Sequence, residues 1–259
     1  MSPSLSVIVP AYNEAARLGK TLPIIFEYLK AHYPDAEVIV VDDGSTDETC
    51  SVIEQSFAQP HGLDTILVPT PVNRGKGHAV RSGLLAARGQ IALFSDADLS
   101  TPITELPKLV QPIESGSRDL TFGSRALDRQ LIGVHQHWRR ELGGRVFNSI
   151  VRVATGLPFW DTQCGFKAFR MRSCRSIVEG ATIDRFAFDV ELLYLAHKAG
   201  LRLEEIAVRW DHNEGSKVSF ARDSKRMLTE VSLIRRQMRE GIYDEAIKHA
   251  GQQLQLTNC

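Results

Sequence analysis

Four short apolar runs lie in the first part of the chain, and segments with a helical period separate them. The runs hardly alternate with polar residues and occupy positions 5–9, 37–41, 65–68 and 91–94. Between them, apolar residues recur every three or four positions, as on one face of a helix. Unalternated strands separated by amphipathic helices are typical of a parallel sheet covered by helices on both faces. We therefore predict an α/β fold with a mostly parallel central sheet.

The ends of two predicted helices carry recognisable signals. Ser45 and Thr46 are N-cap candidates for the helix that follows the second strand. The third helix is predicted over residues 77–88, and Gly89 is expected to close it in the C′ position.

After residue 102 the pattern is less regular. Helices are predicted at 105–114, 141–154 and 186–198, and a last one passes through Met227 and Met238. Strands are predicted at 119–123, 165–169 and 205–210. Because no repeat, low-complexity segment or linker interrupts the sequence, we expect one domain over residues 1–240 and a tail at 241–259.

Polar and acidic residues follow three of the predicted strands directly. Tyr12, Asn13 and Glu14 follow the first strand, and Asp42, Asp43 and Gly44 follow the second. Asp96 and Asp98 follow the fourth. In open α/β sheets this carboxyl edge is where ligands bind. Two neighbouring aspartates repel each other unless a positive group lies nearby, and carboxylate oxygens suit Mg²⁺ or Mn²⁺. A divalent cation at Asp96 and Asp98, shared with the phosphates of a nucleotide diphosphate, would meet this need.

The composition is that of a globular protein, with 43% hydrophobic and 24% charged residues among 259. No run approaches the roughly 18 apolar residues of a membrane span. The start lacks the pattern of a signal peptide. The four cysteines lack C-x-x-C spacing, which favours free thiols over a disulfide framework or a zinc site. These features predict a cytoplasmic protein.

The zero net charge conceals an asymmetry. Residues 1–116 carry 14 acidic and 8 basic side chains, whereas residues 117–259 carry 17 acidic and 23 basic ones. The basic excess is concentrated at 118–152 and 217–239. Such patches are often only solvated surface, but they also suit a phosphate-bearing partner or a membrane surface.

Motifs spread over much of the chain are similar to those of the family 2 glycosyltransferases with the GT-A fold. In the first half these are VIVPAYNE (7–14), VIVVDDGSTDET (38–49), NRGKGHAVRSGL (73–84) and FSDADLS (94–100). FGSRA (122–126), DTQCGFKAF (161–169), FDVELLY, EIAVRW (205–210) and EGSKV (214–218) resemble the dolichyl-phosphate β-glucosyltransferase branch. The related mannose synthases resemble the DTQCGFK segment less well. The resemblance implies a nucleotide-sugar-binding half at 1–116 and an acceptor-binding half at 117–240.

The resemblance also implies roles for individual residues. Asp96 and Asp98 are expected to hold Mg²⁺ or Mn²⁺ against the donor diphosphate, and Asp98 counts as catalytic. The residues expected to bind the nucleotide-sugar are Pro10, Tyr12, Asn13, Glu14, Asp42, Asp43, Gly44, Gly75, Lys76, Gly77, Asp96 and Lys217.

The acceptor side is predicted from phosphate chemistry. A phosphate monoester is largely ionised at neutral pH and can attack without a general base, provided that cations orient it. Arginine suits this task, so we expect Arg125 and Arg139 to be catalytic phosphate ligands. The expected acceptor-binding residues are Arg125, Arg139, Arg140 and Gln163. Asp189 and Glu191 are the base candidates if the acceptor is a hydroxyl, although acids at a helix N-terminus are also simply stabilising.

The function predicted on these grounds is inverting transfer of a hexose from a UDP-sugar to a polyprenyl phosphate. Glucose is the hexose that the resemblance favours. One alternative is transfer from a UDP- or GDP-sugar to a sugar hydroxyl in glycan or exopolysaccharide assembly. A non-enzymatic alternative is a nucleotide-sugar sensor or scaffold. Helix 141–155 and the basic patches are expected to allow peripheral contact with the cytoplasmic membrane face. No nucleic-acid partner is expected.

Overall fold

The computed structural model describes residues 3–134, 138–212 and 220–257, without the side chains of 138–142, 145–146, 220–225 and 256–257. Seven strands form one sheet in the order β3-β2-β1-β4-β7-β5-β8. A small second sheet pairs β6 with β9. The strands are β1 (Leu5–Ala11), β2 (Glu37–Asp42), β3 (Asp64–Pro69), β4 (Ile91–Ser95), β5 (Leu120–Ser124), β6 (Ile132–Val134), β7 (Phe166–Arg170), β8 (Leu203–Ala207) and β9 (Trp210–Asp211).

The large sheet is parallel except for β7. Parallel pairing joins β1 to β2 and β4, β2 to β3, and β5 to β8. Strand β7 lies between β4 and β5 and runs antiparallel to both. The predicted, mostly parallel sheet is therefore confirmed, and strands from both halves of the sequence contribute to it.

Helices cover both faces of this sheet. The α-helices are α1 (Ala15–His32), α2 (Thr49–Phe57), α3 (Lys76–Ala86), α4 (Leu106–Glu114), α5 (Trp138–Thr155), α6 (Met171–Gly180), α7 (Phe188–Lys198), α8 (Phe220–Arg239) and α9 (Asp244–Thr257). Successive strand residues point to opposite faces. Val7 and Val9 accordingly pack with α1, whereas Ile8 packs with residues of α3, α5 and α7. Two apolar cores result, one on each face.

Local details differ from the sequence prediction where distant contacts decide them. The expected strand at 205–210 divides into β8 and β9, which belong to different sheets. Helix α3 ends at Ala86, and the next residue is extended, so Gly89 does not close it.

The C-terminal residues are part of the packed structure rather than a tail. Helix α9 lies against α6, and the Tyr243 side chain just before it is fully buried. The Tyr243 hydroxyl donates to Glu191 at 2.7 Å. Buried polar groups need such partners, so the end of the chain is fastened to the core.

Two sequence-based expectations concern the chain as a whole. Cys50, Cys164 and Cys174 are free thiols, and Cys259 lies outside the described residues. Across the described ranges, every helix is too short or too polar to cross a bilayer.

Candidate active site

The acidic residues singled out in the sequence lie at one edge of the large sheet. Asp42 is the last residue of β2, and Asp96 and Asp98 follow β4. Strand β1 separates these strands and ends beside them, with Ala11 paired to Asp42. The structure thus brings the predicted acidic turns together at the carboxyl edge, where α/β sheets bind ligands.

The turn after β1 is joined to the turn after β2. The backbone N–H of Asn13 donates to Ser45 Oγ at 2.8 Å, and Asn13 Oδ1 accepts from the backbone N–H of Thr46 at 2.8 Å. Asn13 has a φ of 54°, which Asn tolerates better than most residues. Helix α2 begins only at Thr49 and has no side-chain cap. The expected N-cap role of Ser45 or Thr46 is therefore wrong, because both residues bond to Asn13 instead.

Side chains around these turns differ in what they present to a ligand. Pro10 is buried within β1, and Tyr12 is 38% exposed. Glu14 forms an ion pair with Arg17 at 2.8 Å. Asp42 is buried and accepts from the backbone N–H of Ser45 at 3.2 Å.

Cys50 contacts the same Asp42 carboxylate. Its thiol donates to Asp42 Oδ2 at 3.1 Å, and this bond, together with burial, raises the pKa of Cys50 to about 11. The thiol is therefore neutral at physiological pH and acts as a hydrogen-bond donor.

Asp43 organises the loop that carries Lys76. Its buried carboxylate accepts from the backbone N–H of Gly75 at 2.7 Å and from Asn73 Nδ2 at 2.8 Å. It also accepts from the backbone N–H of Arg74 at 3.1 Å. With both oxygens engaged in this way, Asp43 fixes the loop.

The glycines beside Lys76 are required by close chain packing. Gly75 has a φ of 123°, in the region that favours glycine. A Cβ at Gly75 or Gly77 would lie about 2.6 Å from the carbonyl oxygen of Asp184 or 2.5 Å from that of Ile183, respectively. Both glycines therefore allow a close approach of segment 183–185 to this loop. Gly44, with a φ of 72°, likewise packs against the backbone of Val72 and Asn73.

Lys76 provides the positive charge beside the aspartate pair. Its Nζ lies 2.6 Å from Asp96 Oδ1 and 6.0 Å from the centre of the Phe188 ring. Burial lowers the pKa of Lys76, but the carboxylates of Asp96 and Asp189 outweigh this effect and raise the pKa above its ordinary value. Asp98 Oδ1 accepts from the backbone N–H of Ser100 at 2.9 Å.

Gly165 makes room for Asp96, and sequence reasoning gave it no role. The backbone N–H of Asp96 donates to the Gly165 carbonyl at 3.1 Å. A Cβ at Gly165 would overlap the Asp96 carboxylate. Any residue larger than glycine would require either the Asp96 side chain or the backbone to move.

The donor set suits a hard divalent cation. Among the described residues, no cluster of three or more His, Cys, Asp or Glu side chains could hold a metal alone. Mg²⁺ typically binds one or two carboxylates, several waters and substrate phosphates. The ammonium group of Lys76 already lies 2.6 Å from Asp96 and offsets part of the negative charge of the aspartate pair. Two carboxylates therefore fit a metal that a bound diphosphate would help to hold.

Arg125 is largely occupied by a buried carboxylate. Its Nε and Nη2 lie 2.7 and 2.8 Å from the two oxygens of Asp161. The third guanidinium nitrogen, Nη1, takes no part in these two bonds. Arg125 also lies over the Trp210 ring at 5.6 Å. Burial raises the pKa of Asp161, but Arg125 more than offsets this and lowers the pKa to about 2.

Of the other predicted acceptor residues, Gln163 is the one whose side chain the structure describes. The backbone N–H of Gln163 donates to Asp161 at 3.2 Å, and its side-chain amide lies 3.8 Å from the sulfur of Met227. Lys217 and the side chains of Arg139 and Arg140 lie outside the described residues.

The two fallback base candidates are buried in the first turn of α7. Glu191 is fully buried and accepts from Tyr243, from both the backbone and hydroxyl of Thr182, and from the backbone N–H of Ile183. Asp189 is 3% exposed and lies 2.6 Å from the Nζ of Lys167. Protein donors hold both carboxylates, which leaves little access for a hydroxyl acceptor.

Sequence reasoning also missed residues that support the site across long separations. Asp184 binds Arg74 at 2.9 Å and Arg81 at 2.5 Å. Glu205 accepts from the backbone N–H groups of Trp160 and Asp161. Asp161 lies in a motif quoted from the sequence, but nothing local indicated its pairing with Arg125.

Replacing Asp161 tests the energetic weight of this pair. We expect Asp161→Asn to lower the free energy of unfolding by about 3 kcal/mol at neutral pH, because it breaks a buried ion pair. The wild-type carboxylate has a pKa of about 2, below its ordinary 3.8. Its stabilisation is therefore complete above about pH 4 and is lost as the pH falls towards 2. Denaturant unfolding at several pH values should show the two proteins converging in that window; a gap independent of pH would contradict this.

Comparisons with known proteins give a consistent family and fold. The profile described as "Glycosyl transferase family 2" matches residues 6–178. A "Dolichyl-phosphate beta-glucosyltransferase" of Drosophila melanogaster is 41% identical over 232 residues, which cover 84% of this chain and 71% of the relative.

Two solved structures share the fold. Glucosyl-3-phosphoglycerate synthase from Mycobacterium tuberculosis, in complex with Mn²⁺ and uridine-diphosphate-glucose, is 22% identical with a TM-score of 0.60 over 88% of this chain and 79% of that one. The mannosyltransferase PcManGT from Pyrobaculum calidifontis, in complex with GDP-Man and Mn²⁺, is 20% identical with a TM-score of 0.61 over 99% and 74%. These likenesses show a GT-A fold.

Proposed function

Because this chain belongs to glycosyl transferase family 2, we propose that it is an inverting enzyme that transfers glucose from UDP-glucose to a polyprenyl phosphate of the dolichyl type. The observation that carries the proposal is the cluster of Asp96, Asp98 and Lys76 at the carboxyl edge of the sheet. The name of the Drosophila relative, similar over most of the chain, supports the choice of glucose and of a lipid phosphate.

On the donor side, Asp96 and Asp98 would hold Mg²⁺ or Mn²⁺ together with the diphosphate. The metal would offset the negative charge that develops on the departing UDP. Lys76 is close enough to share this task, since it already lies against Asp96. Asp42 and the exposed Tyr12 border the same edge and are proposed to contact the nucleoside.

On the acceptor side, a phosphate oxygen would form the new bond to the anomeric carbon while the bond from that carbon to UDP breaks. No proton has to be removed from an ionised phosphate monoester. This agrees with the burial of Asp189 and Glu191. Arg125, held rigidly by Asp161, is proposed to orient the phosphate through Nη1, with Arg139, Arg140 and Gln163 completing the acceptor site.

A transfer assay with radiolabelled UDP-glucose, Mn²⁺ and a short polyprenyl phosphate tests the proposal directly. Label should move into an acid-labile product in the organic phase. Label found only in water-soluble sugars would favour a hydroxyl acceptor, and tight UDP binding without turnover would favour a sensor or scaffold. In a melting-temperature series with Mn²⁺, UDP should stabilise more than GDP, because a ligand in excess stabilises by RT ln(1 + [L]/Kd). If GDP raises the melting temperature more than UDP does, the donor is a GDP-sugar, and the proposed sugar becomes mannose instead of glucose.

We also propose that the enzyme meets its lipid acceptor at a membrane surface through an apolar patch formed by Ile150, Val153 and Trp160. These side chains are 42%, 89% and 55% exposed. The guanidinium of Arg152 lies 3.9 Å from the centre of the Trp160 ring. Tryptophan and arginine together suit the boundary between apolar chains and anionic headgroups. Trp160 directly precedes Asp161, so the patch adjoins the arginine proposed for the acceptor phosphate.

A vesicle-binding measurement tests this patch. We expect Val153→Asp to weaken cosedimentation with anionic phospholipid vesicles about tenfold, because it removes apolar contact and adds a repelled charge. Ile24→Asp is the matched control: Ile24 is 51% exposed on α1, a helix that packs on the opposite face of the sheet. Equal weakening by both variants would contradict a specific patch.

A further inference from the structure

Alternating charges run from the sheet edge into the core. Asp96 lies 2.6 Å from Lys76, and Lys76 contacts the ring of Phe188, the residue that precedes Asp189. Asp189 in turn lies 2.6 Å from Lys167, whose side chain is fully buried. Lys76 therefore pairs with one carboxylate at the edge and lies near enough to a second, Asp189, in the interior to interact with it electrostatically.

We propose that Lys76 keeps the divalent cation away from Asp96 until the donor arrives, and that Asp189 is the positioning residue that retains Lys76 when the cation enters. The inference rests on the proposed function, since it concerns the same donor site. It predicts that metal and nucleotide diphosphate bind together rather than one after the other.

The surroundings of Asp96 leave it little freedom to avoid this competition. Its backbone N–H is bonded to Gly165, and its carboxylate packs against the Cα of that glycine. A cation that binds Asp96 must therefore meet the ammonium of Lys76, and two positive charges a few ångströms apart repel.

Only the side chain of Lys76 can move away from an incoming cation. Its backbone is fixed, because Asp43 holds Gly75 and segment 183–185 packs against Gly75 and Gly77. Its Nζ is joined to Asp96 at the edge, and the side chain remains partly exposed. The side chain can thus leave Asp96 without disturbing the loop.

Asp189 offers a buried carboxyl group, held in place, towards which Lys76 can turn. Lys167 holds it, and the Lys167 ammonium is itself bonded to the carbonyl of Cys164 at 2.6 Å. Phosphate oxygens of the donor would supply the remaining partners of Lys76. The donor therefore lowers the cost of separating Lys76 from Asp96, whereas the metal alone does not.

Mn²⁺ binding, measured from the loss of the free-ion electron paramagnetic resonance signal, tests the idea without turnover. In the absence of nucleotide, Lys76→Met should bind Mn²⁺ about tenfold more tightly than the wild type, because a repelling charge is gone. With UDP present this advantage should disappear, since the wild-type lysine then helps to hold the diphosphate. Asp189→Asn should weaken binding only when UDP is present.

A matched control is Lys108→Met, which removes an exposed lysine paired with Glu105 and should leave Mn²⁺ binding unchanged. If Lys76→Met binds free Mn²⁺ no more tightly than the wild type, the competition does not exist. If Asp189→Asn weakens binding equally with and without UDP, its positioning role is refuted. If the wild type fails to bind Mn²⁺ even with UDP, the metal site of the proposed function fails as well, which separates the two failures.

Discussion

Asp98→Asn is expected to reduce kcat/KM for glucose transfer at least about a thousandfold. A metal that stabilises charge on a leaving group contributes several kcal/mol, and each 1.36 kcal/mol is tenfold in rate. The neutral amide is a poor ligand for the cation, but its oxygen can still accept from the backbone N–H of Ser100. The turn should therefore persist, and the melting temperature should change little. Initial rates and thermal unfolding together measure both effects.

Asp128→Asn supplies the control for this variant. Asp128 Oδ1 accepts from the backbone N–H of Gln130 at 2.9 Å, a local turn bond like that of Asp98. It lies in an exposed turn, so the same chemical change should leave activity intact. Activity of Asp98→Asn within tenfold of the wild type would exclude the metal role of Asp98.

Gly165→Ala should damage the site through a single added methyl group. The added Cβ would overlap the Asp96 carboxylate. Either Asp96 turns away from its present position or β7 shifts, and overpacking of this kind costs about 1–3 kcal/mol. We expect a loss of kcat/KM of about a hundredfold or more, with a smaller fall in melting temperature. Steady-state kinetics and Mn²⁺ titration with UDP would record the change.

Gly144→Ala is the corresponding control. Gly144 lies in α5, and a Cβ there meets no atom within 4 Å. Alanine also has a higher helix propensity than glycine. This variant should therefore be at least as stable as the wild type and fully active. An equal loss of activity in both variants would show that the Gly165 effect is not local to Asp96.

The elements that were predicted well are those determined by local pattern. Strands β1, β2 and β4 are buried along their whole length, and the unbroken apolar runs in the sequence predict this burial. The aspartates that follow them were located for the same reason. Position after a strand is a local property that the sequence displays.

The features that were missed depend on residues far apart in the chain. The division of the predicted strand at 205–210 reflects the pairing of β9 with β6 rather than any break in apolar pattern. Asp42 and Asp43 are adjacent and chemically identical. Only contacts with Ser45 and Cys50 on one side, and with the 73–75 loop on the other, give them different surroundings.

The pairing of β5 with β7 has a consequence for how acceptor preference can be changed. Strand β5 ends at Ser124 and β7 begins at Phe166, and the two run side by side in opposite directions. A Cβ at Gly123 would lie 3.0 Å from the sulfur of Cys164, so the segment between the strands leaves and re-enters the sheet at nearly one point. The residues that follow β5 are nevertheless tied to the rest of the fold, because β6 pairs with β9 and α5 packs against α8. A chimera meant to change the proposed acceptor site while keeping the nucleotide side of the parent enzyme would therefore have to exchange the segment between β5 and β7 together with β9 and α8.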